Sequence, residues 1–244
     1  MKKAIPFLLV ASVFAGSIAL ISHASASSNI ASLRLSSALQ QYLTAKDSVS
    51  LSPTKSITIE AWIKLASLPE NGNAYTIVAK MDPVTLGMSS YRMHFANDAT
   101  AGPEMVLQPF DGISYHTMEF PWNPNVNTWY HVAATCDQSG IASFYVNGAL
   151  LNSISGCGTQ IADSPIDLWV GGAPTTGYFF DGKIDDLRIY NTARTATEIS
   201  SDYSRELIGT EPNLKGYWTF NNTLIDQAKN NNLTFHSYSS DVPF

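Results

Sequence analysis

The residues able to do chemistry come first. The glutamates are Glu60, Glu70, Glu104, Glu119, Glu198, Glu206 and Glu211. Glycoside hydrolysis by double displacement needs two closely placed carboxylates, and none of these glutamates begins an E-x-D-x-x-E pattern. No G-x-S-x-G nucleophile elbow is present, and His94, His116 and His131 lie outside any H-E-x-x-H zinc pattern. Carboxylates do cluster in FFDGKIDD, at Asp181, Asp185 and Asp186. Hard oxygen ligands of this kind suit calcium, although strand alternation would separate Asp185 from Asp186. The same acids could equally cap turns and solvate a sheet edge. A second set suits sugars, which are held by flat rings and a few placed polar groups. Its rings are Phe110, Tyr115, His116, Trp122, Tyr178 and Phe179, and its polar members are Asn97, Asp98, Asp111 and Asn123. Trp122 sits in Phe120-Pro121-Trp122-Asn123-Pro124, a stiff loop foreign to a central strand. It can serve there as a ligand platform or as a plug for the end of a fold.

The segments that must position these residues read as strands. Residues 56–66 alternate, with Ile57, Ile59, Ala61 and Ile63 on one face and Thr58, Glu60, Trp62 and Lys64 on the other. Further short runs span 31–36, 75–80, 91–96, 105–108, 112–119, 129–137, 141–147, 149–155, 166–171, 182–190, 214–220 and 233–237. Asn147-Gly148 predicts a tight hairpin. One helix is expected. Thr195-Ala196-Thr197-Glu198 fits a capping box, Ile199, Tyr203 and Leu207 follow at near-helical spacing, and Gly209 can end it. The whole predicts an all-β, antiparallel two-sheet sandwich with one short helix toward the C-terminus. A last strand at 214–220 or 233–237 is expected to return beside the first, at 31–36.

The N-terminus predicts export. Lys2 and Lys3 precede an apolar run from Ile5 to Ile21, and Ala24-Ser25-Ala26 supplies a small-residue cleavage site. Residues 1–26 thus read as a secretory signal peptide, with 27–244 as a single mature domain. Losing Lys2 and Lys3 takes the formal net charge from −6 to −8. That balance disfavours nucleic acid, whose phosphates demand an excess of Lys and Arg. No second apolar run of spanning length follows. Outside the cytoplasm, a lone pair such as Cys136 and Cys157 usually forms a disulfide. In a three-strand meander the two positions fall about 9.6 Å apart, beyond the Cα separation of about 7 Å that a bridge tolerates. Gly156 and Gly158 could let Cys157 swing across, and two free thiols are the alternative.

The order of motifs is specific. SITIEAWIKL, YTIVAKMD, YRMHF, NTWYHVAATCD, IASFYVNGALL, LWVGG, FFDGKIDDLRIYNTARTATEI and LKGYWTF follow one another. This resembles the LamG-like jelly-roll family of the concanavalin A-like lectin/glucanase superfamily, over about residues 33–244. The resemblance implies two curved antiparallel sheets. It implies Asp185 as a calcium ligand, because the first Asp of the matching I-D-D triplet often is one. Many members also open with an acidic F-D-G-x-D-D-Y-like segment, where this chain has LRLSSALQQYLTA, with Ser37, Ala38 and Gln40 in place of acids. The resemblance further places Glu60 and Arg188 in one sheet, where a pair between them would fix register. His131 belongs to the fold signature and reads as structural, while the candidate rings for sugar lie outside it.

The functional reading is an exported, non-catalytic recognition module, secreted or periplasmic, for carbohydrate. The alternatives are a structural or adhesive protein that binds a surface protein, and a glycan-active hydrolase or lyase.

Overall fold

The computed structural model describes residues 31–82, 88–172 and 177–237; the signal peptide read at 1–26 lies outside them. Among the described residues no helix is long and apolar enough to cross a membrane. The chain forms two antiparallel sheets. One holds β1 (Leu33–Leu35), β3 (Ile57–Leu65), β8 (Tyr130–Cys136), β9 (Ile141–Val146), β10 (Ala149–Ser155), β12 (Gly182–Tyr190) and β13 (Leu214–Trp218). The other holds β2 (Tyr42–Ala45), β4 (Asn73–Met81), β5 (Ser89–Asp98), β6 (Gly102–Pro109), β7 (Met118–Pro121), β11 (Leu168–Val170) and β14 (Thr234–His236). The helix, α1, spans Ala196–Asp202.

Alternation builds the core. Ile57, Ile59, Ala61 and Ile63 of β3, with Val132 and Ala134 of β8, meet Ile77 of β4, Met93 and Phe95 of β5, and Met105 and Leu107 of β6. The opposite face of β3 is also buried, which a sandwich strand with one wet side would not show. Residues 192–205 cover it. Thr58 Oγ1 donates to the Thr192 carbonyl at 2.6 Å, and Trp62 Nε1 donates to the Tyr203 carbonyl at 2.9 Å. Ile199 of α1 packs on Ala133 and Tyr145.

Beneath this cover lies a charge cluster. Glu60 and Arg188 are register partners, and Arg188 Nη1 donates to Glu60 Oε2 at 3.3 Å, as their shared sheet predicts. Arg194, which the sequence did not single out, donates to the other oxygen, Glu60 Oε1, at 3.0 Å and also engages Asp202. His131 Nε2 lies 3.5 Å from Glu60 Oε2. Glu60, Arg188 and His131 are fully buried.

The same cluster shortens the helix. Its capping box forms as predicted, with Glu198 N–H donating to Thr195 Oγ1 and Thr195 N–H to Glu198 Oε2. The helical spacing through Leu207 is not realised, because α1 stops at Asp202. The Asp202 and Arg205 carbonyls accept from Arg188, and the Tyr203 carbonyl accepts from Trp62. Buried donors from the sheet take the carbonyls that further helical turns would have used.

Two expectations about strands change. The last strands do not pair with the first. β1 binds β12 at Gly182–Ile184, and β13 binds the same edge of β12 further along, at Leu187–Tyr190. β14 joins β2 in the other sheet. The run at 112–119 is mostly turn, and its strand begins at Met118. A bulge in β12 between Asp185 and Arg188, with Asp186 at φ 46°, breaks the alternation. Asp185 therefore sits opposite Trp62 and Arg188 opposite Glu60, both on the covered side. Gly182 is obligatory at the start of β12, since a Cβ there would lie 2.1 Å from the Lys64 carbonyl oxygen.

Cys136 and Cys157 are bridged, with Cα atoms 6.0 Å apart. Gly156, at φ 113°, turns the chain inward past the end of β10, and the N–H groups of Gly156 and Cys157 both donate to the Gly140 carbonyl. That turn closes the gap that a flat meander would leave.

Two stability predictions follow from these features. Burial alone would raise the Glu60 carboxyl, but the His131 hydrogen bond and the Arg188 and Arg194 guanidinium groups outweigh it and hold the pKa at about 2, from an ordinary 4.5. A lowered acid stabilises the fold above its unfolded pKa, and that contribution is lost as pH falls from about 4.5 toward 2. Glu60→Gln is expected to lower stability by about 3–5 kcal/mol and to flatten the loss of stability with acid across that window; an unchanged melting temperature would contradict it. Cys136→Ala with Cys157→Ala opens a bridge of sequence separation 21. Urea unfolding should show a loss of about 3 kcal/mol, and an unshifted midpoint would show that the bridge adds nothing.

Candidate functional site

With one side of the first sheet covered, a polar sheet face remains on the second. Register builds it in rows. Thr76, His94, Val106 and Glu119 pair across β4, β5, β6 and β7. On one side of that row, Arg92 pairs with Gln108. On the other, Ala96 pairs with Glu104. These residues alternate with Tyr91, Met93, Phe95, Met105 and Leu107, which point into the core. The result is an open groove of about 200 Å³. Its walls are Arg92, His94, Glu104, Gln108 and Glu119, with Asn73, Asn97 and Asp98 at one rim and Thr117 and Tyr178 also lining it.

The groove is braced. Arg92 Nη2 donates to Gln108 Oε1 at 2.9 Å, and Gln108 Nε2 donates to Thr117 Oγ1 at 2.8 Å. The Arg92 guanidinium lies 5.6 Å from the centre of the Tyr178 ring. Asn97 Nδ2 donates to the Pro69 carbonyl, and the Asn97 carbonyl accepts from Gly72 N–H, so that rim is tied to the turn before β4. Beneath the surface, Thr76 Oγ1, His94 Nδ1 and Arg92 Nε are buried without a hydrogen-bond partner. Each such atom costs about 1–3 kcal/mol if left unsatisfied, and these three lie beneath a groove that is open to solvent. Burial, then the Arg92 charge, keeps His94 well below the ordinary histidine range, so it acts as a neutral ring. Burial, then Glu119 and Asp98, pushes Glu104 up to about 7.

Among the ligand residues read from the sequence, Tyr178 lines this groove, together with Asn97 and Asp98. The others are placed elsewhere. Phe110 is buried and its ring lies 4.7 Å from that of Tyr115. Asp111 Oδ1 accepts from the N–H groups of Ile113 and Ser114, and Asp111 Oδ2 lies 2.9 Å from His116 Nε2. The Ser114 N–H, the His116 bond and the Ile113 N–H hold Asp111 at about 2. Tyr115 shares a hydrogen bond with Ser89 Oγ. The polar groups of this turn are thus engaged within it and by Ser89 and Gln160, and Thr117, which follows it, lines the groove. Trp122 stands nearly perpendicular to Phe95 and Tyr130, at 5.9 and 5.2 Å, and lies 5.6 Å from Phe144. It packs on the core at the end of the sandwich, beside the exposed Asn123. Phe179 is buried against Tyr42.

Arg92, Glu104, Gln108 and Glu119 were missed as ligand candidates. Their signal was present as R-M-H-F in β5 and E-M-V-L-Q in β6, two strands with one apolar and one polar face. Only the register brings those polar faces together.

Asp185, read as a calcium ligand, is fully buried in β12, and Asp186 Oδ1 accepts from the Tyr217 hydroxyl at 3.3 Å. Asp181 Oδ2 accepts from Ser67 Oγ. Among the described residues no three His, Cys, Asp or Glu side chains group so as to hold a metal ion. Calcium takes six to eight oxygen ligands, backbone carbonyls and waters among them, and in this structure the Asp181 and Asp186 carboxylates accept hydrogen bonds from Ser67 and Tyr217.

The fold recurs in solved structures. A candidate carbohydrate-binding protein from Bacteroides ovatus is 20 % identical with a TM-score of 0.61, over 84 % of this chain and 59 % of its own, so the present chain spans about three fifths of it. A heptameric SAP-like pentraxin from Limulus polyphemus is 15 % identical with a TM-score of 0.55, over 85 % of this chain and 93 % of its own. The binding domain of botulinum neurotoxin serotype G is 20 % identical with a TM-score of 0.52, over 66 % and 40 %. At these identities the likeness is one of fold. A search of curated proteins found no match. The Laminin_G_3 family model, described as concanavalin A-like lectin/glucanases superfamily, matches residues 36–200. With that match over about two thirds of its length and two antiparallel sheets in jelly-roll arrangement, the chain belongs to the concanavalin A-like lectin/glucanases superfamily.

Proposed function

We propose that this protein is a non-catalytic carbohydrate-binding module and that the groove on β4–β7 is its site. The observation that carries the reading is the set of buried, partnerless polar atoms at Thr76, His94 and Arg92 beneath a groove walled by polar side chains. Sugar hydroxyls donate and accept at once, so one ring can engage a neutral imidazole, the Gln108 amide and the Thr117 hydroxyl. Tyr178 adds an aromatic surface for a sugar face. The volume, about 200 Å³, falls below the 300–1,000 Å³ usual for drug-sized ligands, which suits one ring or a chain end rather than a long polymer. The signal-like N-terminus and the Cys136–Cys157 bridge support work outside the cytoplasm, where disulfides persist. The Bacteroides ovatus protein's description points the same way.

The test is a glycan array followed by calorimetry on the hits. Tyr178→Ala and Gln108→Ala are each expected to weaken binding about tenfold, the loss of roughly one contact, while Asn123→Ala leaves affinity unchanged. Loss of binding in Asn123→Ala with retention in the other two would move the site to the Trp122 loop. A folded protein that binds no glycan would refute the reading and favour a protein partner.

A further inference from the structure

The groove is electrically lopsided. Glu104, Glu119 and Asp98 gather toward one end, and Glu104 is only 5 % exposed. Its register partners are Ala96 on β5 and Pro121 on β7, neither able to answer its charge. The charges that act on it, Glu119 and Asp98, are both acids. The basic groups of the groove stand apart from it. Arg92 pairs four residues before Ala96 on β5, about 13 Å along an antiparallel strand, and is committed to Gln108 and Tyr178. His94 lies between them and is uncharged. β4 brings only Asn73 and Ala74 to the groove. A partly buried carboxylate without a counter-charge beside it favours its neutral form and is costly to ionise.

A second, independent observation marks the same place as a ligand site. His94 is 6 % exposed, lines the groove, and keeps a buried Nδ1 without a partner. The acids do not form a metal cage, since no three His, Cys, Asp or Glu among the described residues group for one. The missing charge therefore suits an organic cation better than a metal ion.

We propose that the groove selects amine-bearing saccharides, with the ammonium group received at Glu104 and ring hydroxyls engaged by His94, Gln108 and Thr117. This inference rests on the carbohydrate reading and narrows its ligand to a chemical class. Acidic sugars are disfavoured by the same three carboxylates. Glu104 titrates near 7 for the reasons already given, so its ionised form, the one that attracts a cation, grows as pH rises through 7. A cationic ligand should bind more tightly above that range and more weakly below it, whereas Asp98, held below its ordinary range by the N–H groups of Ala101 and Thr100, supplies a background that changes little.

The experiment is calorimetric titration of the full chain with three trimers: neutral N-acetylglucosamine, its de-N-acetylated and N-trimethylated counterpart, whose positive charge does not titrate, and galacturonic acid. At pH 8.5 the cationic trimer should bind about tenfold more tightly than the neutral one. That ratio should shrink at pH 5.5 and in high salt, which screens exposed charge, and the galacturonic trimer should bind most weakly. Glu104→Gln should collapse the ratio of cationic to neutral affinity. Equal affinities at pH 8.5, or a ratio that survives Glu104→Gln in folded protein, would overturn the amine inference and leave the carbohydrate reading standing. Failure of every trimer, with tetramethylammonium alone binding in a Glu104-dependent way, would overturn the saccharide and this inference with it.

Discussion

The arrangement depends on one buried carboxylate. Glu60 sits at zero exposure in the middle of β3, and a lone charge there would be untenable. Two arginines and a histidine answer it: Arg188 and His131 from the neighbouring strands β12 and β8, and Arg194 from the segment that leads into α1. Each contact constrains a different level of the structure. Arg188 locks the register of β12 against β3. Arg194 pulls residues 192–205 onto the sheet. The spare donors of Arg188 then take the carbonyls at the end of the helix. The covering layer is thus held by polar geometry as much as by Ile199, its apolar anchor.

That cover decides which polar face stays open. β3 and β5 carry similar alternation, with apolar residues inward and polar residues outward. On β3 the outward Thr58, Glu60 and Trp62 are sealed under α1 and its flanks, and each finds a protein partner. On β5 the outward Arg92 and His94 face a groove, and some of their buried atoms find none. The covered face is filled by the protein's own chain, whereas the face on β4–β7 stays open as a groove. Coverage, rather than residue type, distinguishes the two.

Fold class was legible early, because it follows from local patterns. Period-two alternation in residues 56–66, the Asn147-Gly148 hairpin and the Thr195–Glu198 capping box are each encoded within a few residues, and each appears in the structure. The Glu60–Arg188 pair was legible as well, since motif order placed both strands in one sheet. The site was less so. Trp122 is a ring in a Pro-flanked loop, yet its three aromatic neighbours come from β5, β8 and β9. No sequence window contains that contact. The same limit hid Glu104 and Gln108, which look like ordinary outward residues until β5 and β6 are aligned.

The residues that bear chemistry at the outset thus divide by cause. The sequence by itself determined the antiparallel sandwich, the short capped helix, the bridge as one of two options, and the absence of the catalytic patterns sought. These depend on neighbours along the chain or on which residue types exist. Tertiary structure alone decided that Asp185 and Arg188 share the covered side of β12, because a bulge breaks the alternation between them. It alone decided that Cys157 reaches Cys136, because Gly156 turns the strand end inward. It alone assembled Arg92, His94, Glu104, Gln108, Glu119 and Tyr178 into a groove. Register and sheet order are long-range quantities, set by how whole faces bury against one another, and a face becomes a site only when the rest of the chain leaves it uncovered.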